Sequence, residues 1–166
     1  ELVATNGKVL LQYGMTEGLP SLREALVEAE IAEEIGADFW VSFSCMDRFR
    51  INDGHMLSAC ASALSPEKFP HLRMIGVNCT DPRHIVSLIG ELRTGTALPV
   101  AVYPNSGEVY DPASKTWSKK IHEVSFGSYA LKYMQAGASA VGGCCTTVER
   151  HIRDVVKARE EYLKKS

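Results

Sequence analysis

The side chains of this chain best suited to chemistry are its thiols. Cys144 and Cys145 stand side by side in "AVGGCCTTVE", directly after a glycine pair. Neighbouring cysteines bond to each other only by straining the peptide between them. The other obvious use of such a pair is to hold a soft metal ion. Cys79, in "GVNCT", offers a third sulfur at the end of a different apolar run. Three thiolates bind zinc well and leave a fourth tetrahedral position open, the arrangement of a catalytic rather than a structural site. Cys144 and Cys145 also precede a stretch that reads as a capped helix start, where the helix dipole and free N–H groups favour thiolate over thiol. The competing reading makes all three small buried hydrophobes, and spacing alone leaves both readings open. Cys60 falls within an expected helix and reads as core. Cys45 reads as a loop thiol, with a place at the mouth of the site as the alternative. The five histidines, His55, His71, His84, His122 and His151, do not cluster and read as surface residues. No Ser-His-Asp ordering and no glycine-rich phosphate loop stands out. Gly142 and Gly143 read as letting backbone pass close to the site.

The elements that must position these thiols follow a strand-then-helix rhythm. "SLREALVEAEIAEEIG" carries apolar residues at Leu22, Leu26, Ala29, Ile31 and Ile35, a helical period. Ser21 with Glu24 makes a capping box at its start and Gly36 suits its end. Residues 54–64 read as a second helix. "TDPRHIVSLIGELR" reads as a third, with Thr80 or Asp81 as cap, Pro82 in the first turn and Ile85, Leu88, Ile89 and Leu92 on one face. "FGSYALKYMQAG" is a fourth, closed by Gly137. Thr146 and Glu149 form a second capping box, which opens a helix over 147–163. Between them, "ADFWVSFS", "LRMIGVNC", "LPVAVYP" and "ASAVGG" are short apolar runs of the buried parallel kind, and "VLLQYGMT", residues 9–16, is the expected first strand. Residues 105–123 read as a long polar loop. Five strands, each followed by a helix, mean a parallel α/β fold in a single domain over 1–166. The unusual residues all fall at strand C-terminal ends: Glu17; Ser42, Ser44 and Cys45; Asn78 and Cys79; Tyr103 and Asn105; Cys144 and Cys145. In a (β/α) barrel that is the face that carries chemistry.

Composition narrows the partners. The chain is 45% hydrophobic and 23% charged, with a formal charge of -2, so it offers no basic field for nucleic acid. No apolar run approaches the roughly 20 residues that span a bilayer. The start has no basic end followed by an apolar stretch, so no signal peptide is expected. It also lacks a methionine, which suggests a piece of a longer chain. An odd count of five cysteines points to a reducing, cytoplasmic compartment rather than a disulfide scaffold.

Three motifs, "GVNCT" at 76–80, "VYPNSGEVYD" at 102–111 and "GGCC" at 142–145, together resemble the homocysteine S-methyltransferase family in order and separation. The likeness extends over "WVSFSCMD", the Trp117 region and the helix–Gly–Ala–strand join before the cysteines. The resemblance implies a (β/α)8 TIM-type barrel, of which this chain holds about the C-terminal five β/α units. It implies zinc on Cys79, Cys144 and Cys145, with homocysteine sulfur in the fourth position and Asn105 there in the zinc-only state. It places Glu17 against the substrate ammonium. The implied reaction is methyl transfer to homocysteine, giving methionine, from a sulfonium such as S-methylmethionine or S-adenosylmethionine, or from betaine or a folate in more distant branches. The alternative is a zinc- or thiol-binding fragment, or degenerate member, without catalysis.

Two departures from the family pattern stand out. Family members usually carry an extra residue between the cysteine pair and the threonines, whereas here Cys145 meets Thr146 directly, which should bring the thiols one residue closer to the following helix. The chain is also about half the family's length, and the early strands have no counterpart. Five strands do not close an eight-strand barrel, so exposed sheet edges and self-association are expected of the chain alone.

Overall fold

In a computed structural model of the chain, the described residues are 21–108, 110–111, 113–117 and 125–165. The expected first strand over 9–16, and Glu17 with it, lie outside them.

Helix α1, Leu22–Ile35, starts where expected: the Ser21 hydroxyl accepts the Glu24 backbone N–H at 3.2 Å. It stops at Gly36, whose φ of 69° lets its N–H reach back to the Ala32 and Glu33 carbonyls. The buried stripe differs from the expected one. Ala25, Ala29 and Ala32 face the core, while Ile31 and Ile35 are exposed. Ile31 sits about 200° around the helix from Ala29, and the small alanines let the helix lie close against its neighbours.

Four strands form one parallel sheet in which spatial order follows chain order: β1 (Phe39–Phe43), β2 (Leu72–Asn78), β3 (Val100–Tyr103) and β6 (Ala140–Val141). Alternation sorts their side chains. Phe39, Val41 and Phe43 of β1, Ile75 and Val77 of β2, and Val100 and Val102 of β3 belong to the main core with α1, α2 (Leu57–Ala63) and α3 (Ile85–Gly95). The opposite sheet face presents Trp40, Met74, Ala101 and Tyr103, which with Gly142 and Gly143 line a cavity of about 390 Å³. The expected face of α3, Ile85, Leu88, Ile89 and Leu92, is fully buried.

The start of α3 corrects the reading of its cap. The helix begins at Ile85 behind His84, not behind Thr80 or Asp81. Asp81 instead accepts the Arg83 N–H at 2.8 Å in a turn of its own, and Thr80 is committed elsewhere. His84 is also not a plain surface residue: its Nδ1 is buried. Within the stretch read as a loop, β4 (Tyr110–Asp111) and β5 (Thr116–Trp117) pair antiparallel, and the connection folds on Asp111, which accepts the Ala113 N–H and the Ser114 hydroxyl. Helix α4, Phe126–Gln135, opens on a Ser125 cap, and α5 spans Glu149–Lys165. These two pack through Phe126, Ala130, Met134, Val155 and Ala158.

Candidate metal centre

Sheet register brings the cysteines together. Val77 of β2 lies opposite Val102 of β3, which lies opposite Val141 of β6. Cys79 is two residues past the first of these and Cys144 three residues past the last, so both leave the same end of the sheet. The segment after β3 runs between them and bonds to each arm. On one side the Cys79 N–H donates to the Tyr103 carbonyl and the Asn105 N–H donates to the Thr80 carbonyl, both at 3.2 Å. On the other the Cys144 N–H donates to the Pro104 carbonyl at 2.8 Å and the Ser106 N–H donates to the Cys145 carbonyl at 3.2 Å. "YPNS" is therefore the backbone spacer that fixes the distance between the two cysteine arms.

The sulfurs converge accordingly. One ligand atom from each of Cys79, Cys144 and Cys145 falls within 4.8 Å of the other two. Cys79 and Cys144 meet as a disulfide with Cα atoms 5.4 Å apart. The Cys145 sulfur lies 3.6 Å from that of Cys79 and 3.9 Å from that of Cys144. Three thiolates around a tetrahedral zinc, each about 2.3 Å from the ion, stand about 3.8 Å from one another. Two of the three separations already match, and reduction frees the third pair to reach it. The donor set is soft and all-sulfur, which suits zinc and excludes magnesium or calcium. The disulfide and the ion are mutually exclusive uses of Cys79 and Cys144.

The turn after the cysteines differs from the expected capping box. The Thr146 hydroxyl bonds the Ser106 hydroxyl at 2.6 Å and donates to the Cys145 carbonyl at 2.6 Å, rather than capping Glu149. Thr146 adopts a φ of 63°, and α5 begins only at Glu149, behind a Val148 N–H that His151 Nδ1 accepts at 2.9 Å. Burial and the neighbouring Arg150 hold His151 below its ordinary pKa, which suits that acceptor role. The directness of the Cys145–Thr146 join is thus absorbed by one left-handed residue, and the helix stands farther from the thiols than expected. Gly143 packs closely on the turn that follows the cysteines, whereas a Cβ on Gly142 would make only an ordinary contact with Tyr103. A Cβ on Gly143 would stand 2.5 Å from the Thr147 hydroxyl oxygen, and that hydroxyl is held by the Cys144 carbonyl at 2.6 Å.

Of the remaining candidates, Asn105 joins the centre through its backbone, and its side-chain oxygen accepts the Gly107 N–H at 3.2 Å. Cys45 lies in the connection between β1 and α2, as expected, but it is not an exposed thiol. It is buried, and burial, with Cys60 nearby, pushes its pKa well up. Cys60 is core as expected, pushed up to about 12 by burial. Sequence reasoning placed Ser42, Asn78 and Tyr103 at strand ends but missed the bonds they make beneath the centre. Ser42 donates to the Asn78 side-chain oxygen at 2.9 Å, and Trp40 Nε1 donates to the Tyr103 hydroxyl at 3.4 Å. Burial raises the Tyr103 pKa, against side-chain hydrogen bonds with Ser42 and Trp40 that lower it. No local signal gives the Ser42–Asn78 and Trp40–Tyr103 pairings, because the partners lie 36 and 63 residues apart in sequence.

The family profile of the homocysteine S-methyltransferases matches residues 11–159. The chain belongs to that family. It is 39% identical over 153 residues to "Homocysteine S-methyltransferase YbgG" of Bacillus subtilis (strain 168), an alignment covering 89% of this chain and 48% of the relative. Among solved structures it is similar to the apo form of the homocysteine methyltransferase MmuM from Escherichia coli, with a TM-score of 0.71, 27% identity, and coverage of 92% of this chain and 51% of that one. The metallated form of MmuM gives a TM-score of 0.66 and 26% identity, over 84% of this chain and 42% of that one. The chain spans about half the length of the curated relatives it matches.

Proposed function

We propose that this chain provides the metal site and part of the acceptor pocket for zinc-dependent methyl transfer to homocysteine, giving methionine. The observation that carries this reading is the convergence of the Cys79, Cys144 and Cys145 sulfurs within 4.8 Å, in a chain whose relatives are named homocysteine S-methyltransferases. The sequential parallel sheet supports a place in a (β/α)8 barrel with this centre at the strand C-terminal ends.

Cys79, Cys144 and Cys145 would hold the ion. Zinc, when bound, lowers the pKa of a coordinated thiol and keeps the sulfur anionic at neutral pH. Methyl transfer then balances simply. The acceptor sulfur's lone pair forms the new S–CH3 bond, and the donor's C–S bond breaks with its electron pair left on the donor sulfur. The acceptor's thiol proton goes to solvent. A sulfonium donor, S-methylmethionine or S-adenosylmethionine, suits this because it leaves as a neutral thioether. The chain's residues orient the acceptor. Glu17 would pair with its ammonium, and Asn105 would offer its side-chain oxygen to the metal before the thiol binds. The centre requires reduced thiols, which fits a cytoplasmic setting.

The test is methionine formation from homocysteine with each donor, using the full protein reduced and loaded with zinc. Turnover with a sulfonium is expected, and Glu17→Ala should raise the homocysteine KM while leaving zinc content unchanged. Zinc binding without turnover for any donor would leave a binding site only. Loss of zinc on Glu17→Ala would mean that Glu17 acts on the metal rather than the substrate.

A further inference from the structure

Cys79 is held in an unusual backbone conformation. Its φ is 44°, left-handed for a residue that carries a side chain. Conformations of this kind persist only where the surroundings fix them. On the β3 side the Cys79 N–H donates to the Tyr103 carbonyl, and its sulfur is bonded to that of Cys144. On the β1 side the connection is different: it runs through the hydroxyl of Thr80, which is 2% exposed. That hydroxyl donates to the Asn78 carbonyl at 2.8 Å and accepts the Cys45 N–H at 2.9 Å. It therefore closes a bond across Cys79, from the residue after it to the residue before it, and ties that closed turn to the end of β1. Asn78, fully buried, is tied to β1 a second time by the Ser42 hydroxyl.

We propose that Thr80 is the positioning residue for the Cys79 sulfur. Its hydroxyl locks the turn that aims Cys79 at Cys144 and Cys145, with Ser42 supporting the preceding residue. The inference rests on the zinc reading above and adds to it a group that touches neither metal nor substrate. The hydroxyl is needed for its two simultaneous bonds, one given and one received, which serine also supplies and valine does not.

The experiment measures zinc affinity of the reduced full protein by competition with a chromophoric chelator, together with the cobalt(II) spectrum of the same site and thermal unfolding of the zinc-free protein. Outer-shell partners of metal ligands typically alter affinity 10- to 100-fold when removed. Thr80→Val should weaken zinc binding by about that factor and diminish the thiolate-to-cobalt charge-transfer band. Thr80→Ser should retain both. Thr80→Ala, which leaves room for a water at the Cys45 N–H, is the second variant and should shift affinity in the same direction as Thr80→Val. Leu64→Ala, fully buried in the main core, is the control for general destabilisation: it should lower the unfolding temperature with zinc affinity unchanged. Thr80→Ala or Thr80→Val with wild-type zinc affinity, or an affinity loss no greater than that of Leu64→Ala, overturns the positioning role and leaves the zinc reading standing. A wild-type protein that binds no zinc overturns both.

Discussion

Gly143→Ala tests the close packing behind the cysteine pair. The added Cβ would stand 2.5 Å from Thr147 Oγ1, 2.7 Å from its Cγ2 and 2.8 Å from its Cβ. Thr147 is β-branched and stiff at χ1, and its hydroxyl is bound to the Cys144 carbonyl at 2.6 Å. Relief therefore requires either breaking that bond or shifting the Gly143–Cys144 backbone. Overpacking of this kind costs about 1–3 kcal/mol. In a chain of this size that lowers the Tm by about 2–12 °C. If the strain is relieved through Cys144, the same energy appears in metal binding as a loss of about 5- to 150-fold in zinc affinity. The assays are thermal unfolding of the zinc-free protein and chelator competition for zinc. Thr147→Ala deletes two of the three close atoms, so the double variant should be less impaired than the sum of the single ones. Wild-type Tm and zinc affinity in Gly143→Ala, or strictly additive losses in the double variant, would refute the packing argument.

Tyr133→Phe removes a fully buried hydroxyl that donates to the Pro82 carbonyl at 2.8 Å. Loss of one buried bond should cost about 1–2 kcal/mol, a Tm decrease of about 2–8 °C by calorimetry; no change would mean water replaces the hydroxyl. In the reduced, metal-free protein, iodoacetamide should modify Cys145 readily under native conditions and Cys45 and Cys60 only after unfolding, as peptide mass analysis would show. Burial raises both of those thiols above their ordinary 9.0. Their neutral form is the one the fold accepts, so the stability they contribute is full below pH 9 and is lost as pH rises toward about 12. Denaturant titrations at rising alkaline pH should show that decline, and replacing Cys60 by alanine should reduce it.

The features legible in the sequence were those set by local rules. Ser21 and Gly36 bound a helix because a hydroxyl cap and a left-handed glycine act within four residues of chain. The stripe Ile85, Leu88, Ile89 and Leu92 was readable because the apolar period was unbroken. Cys79, Cys144 and Cys145 were nominated by their place after apolar strands, and register brought them together. What failed depended on distant partners. Thr146 has the local signature of a cap, but the Ser106 hydroxyl, 40 residues away in sequence, draws its side chain off, and the helix starts later. Thr80 resembles a cap for the same reason and is held by Cys45, 35 residues earlier. Ile31 and Ile35 fit a helical period, but the sheet accepts the flatter alanine stripe. That the Cys45 loop thiol is buried was not readable, because Thr80, which accepts its N–H, and Cys60 of α2 nearby are distant in sequence.

The most direct measurement is zinc K-edge X-ray absorption on the reduced, zinc-loaded protein. The account expects about three sulfurs at roughly 2.3 Å and one lighter scatterer, with a fourth sulfur replacing the lighter atom when homocysteine is added and one sulfur fewer in Cys144→Ser. Bound zinc with one sulfur or none in its shell, or a shell unchanged by Cys144→Ser, would contradict it.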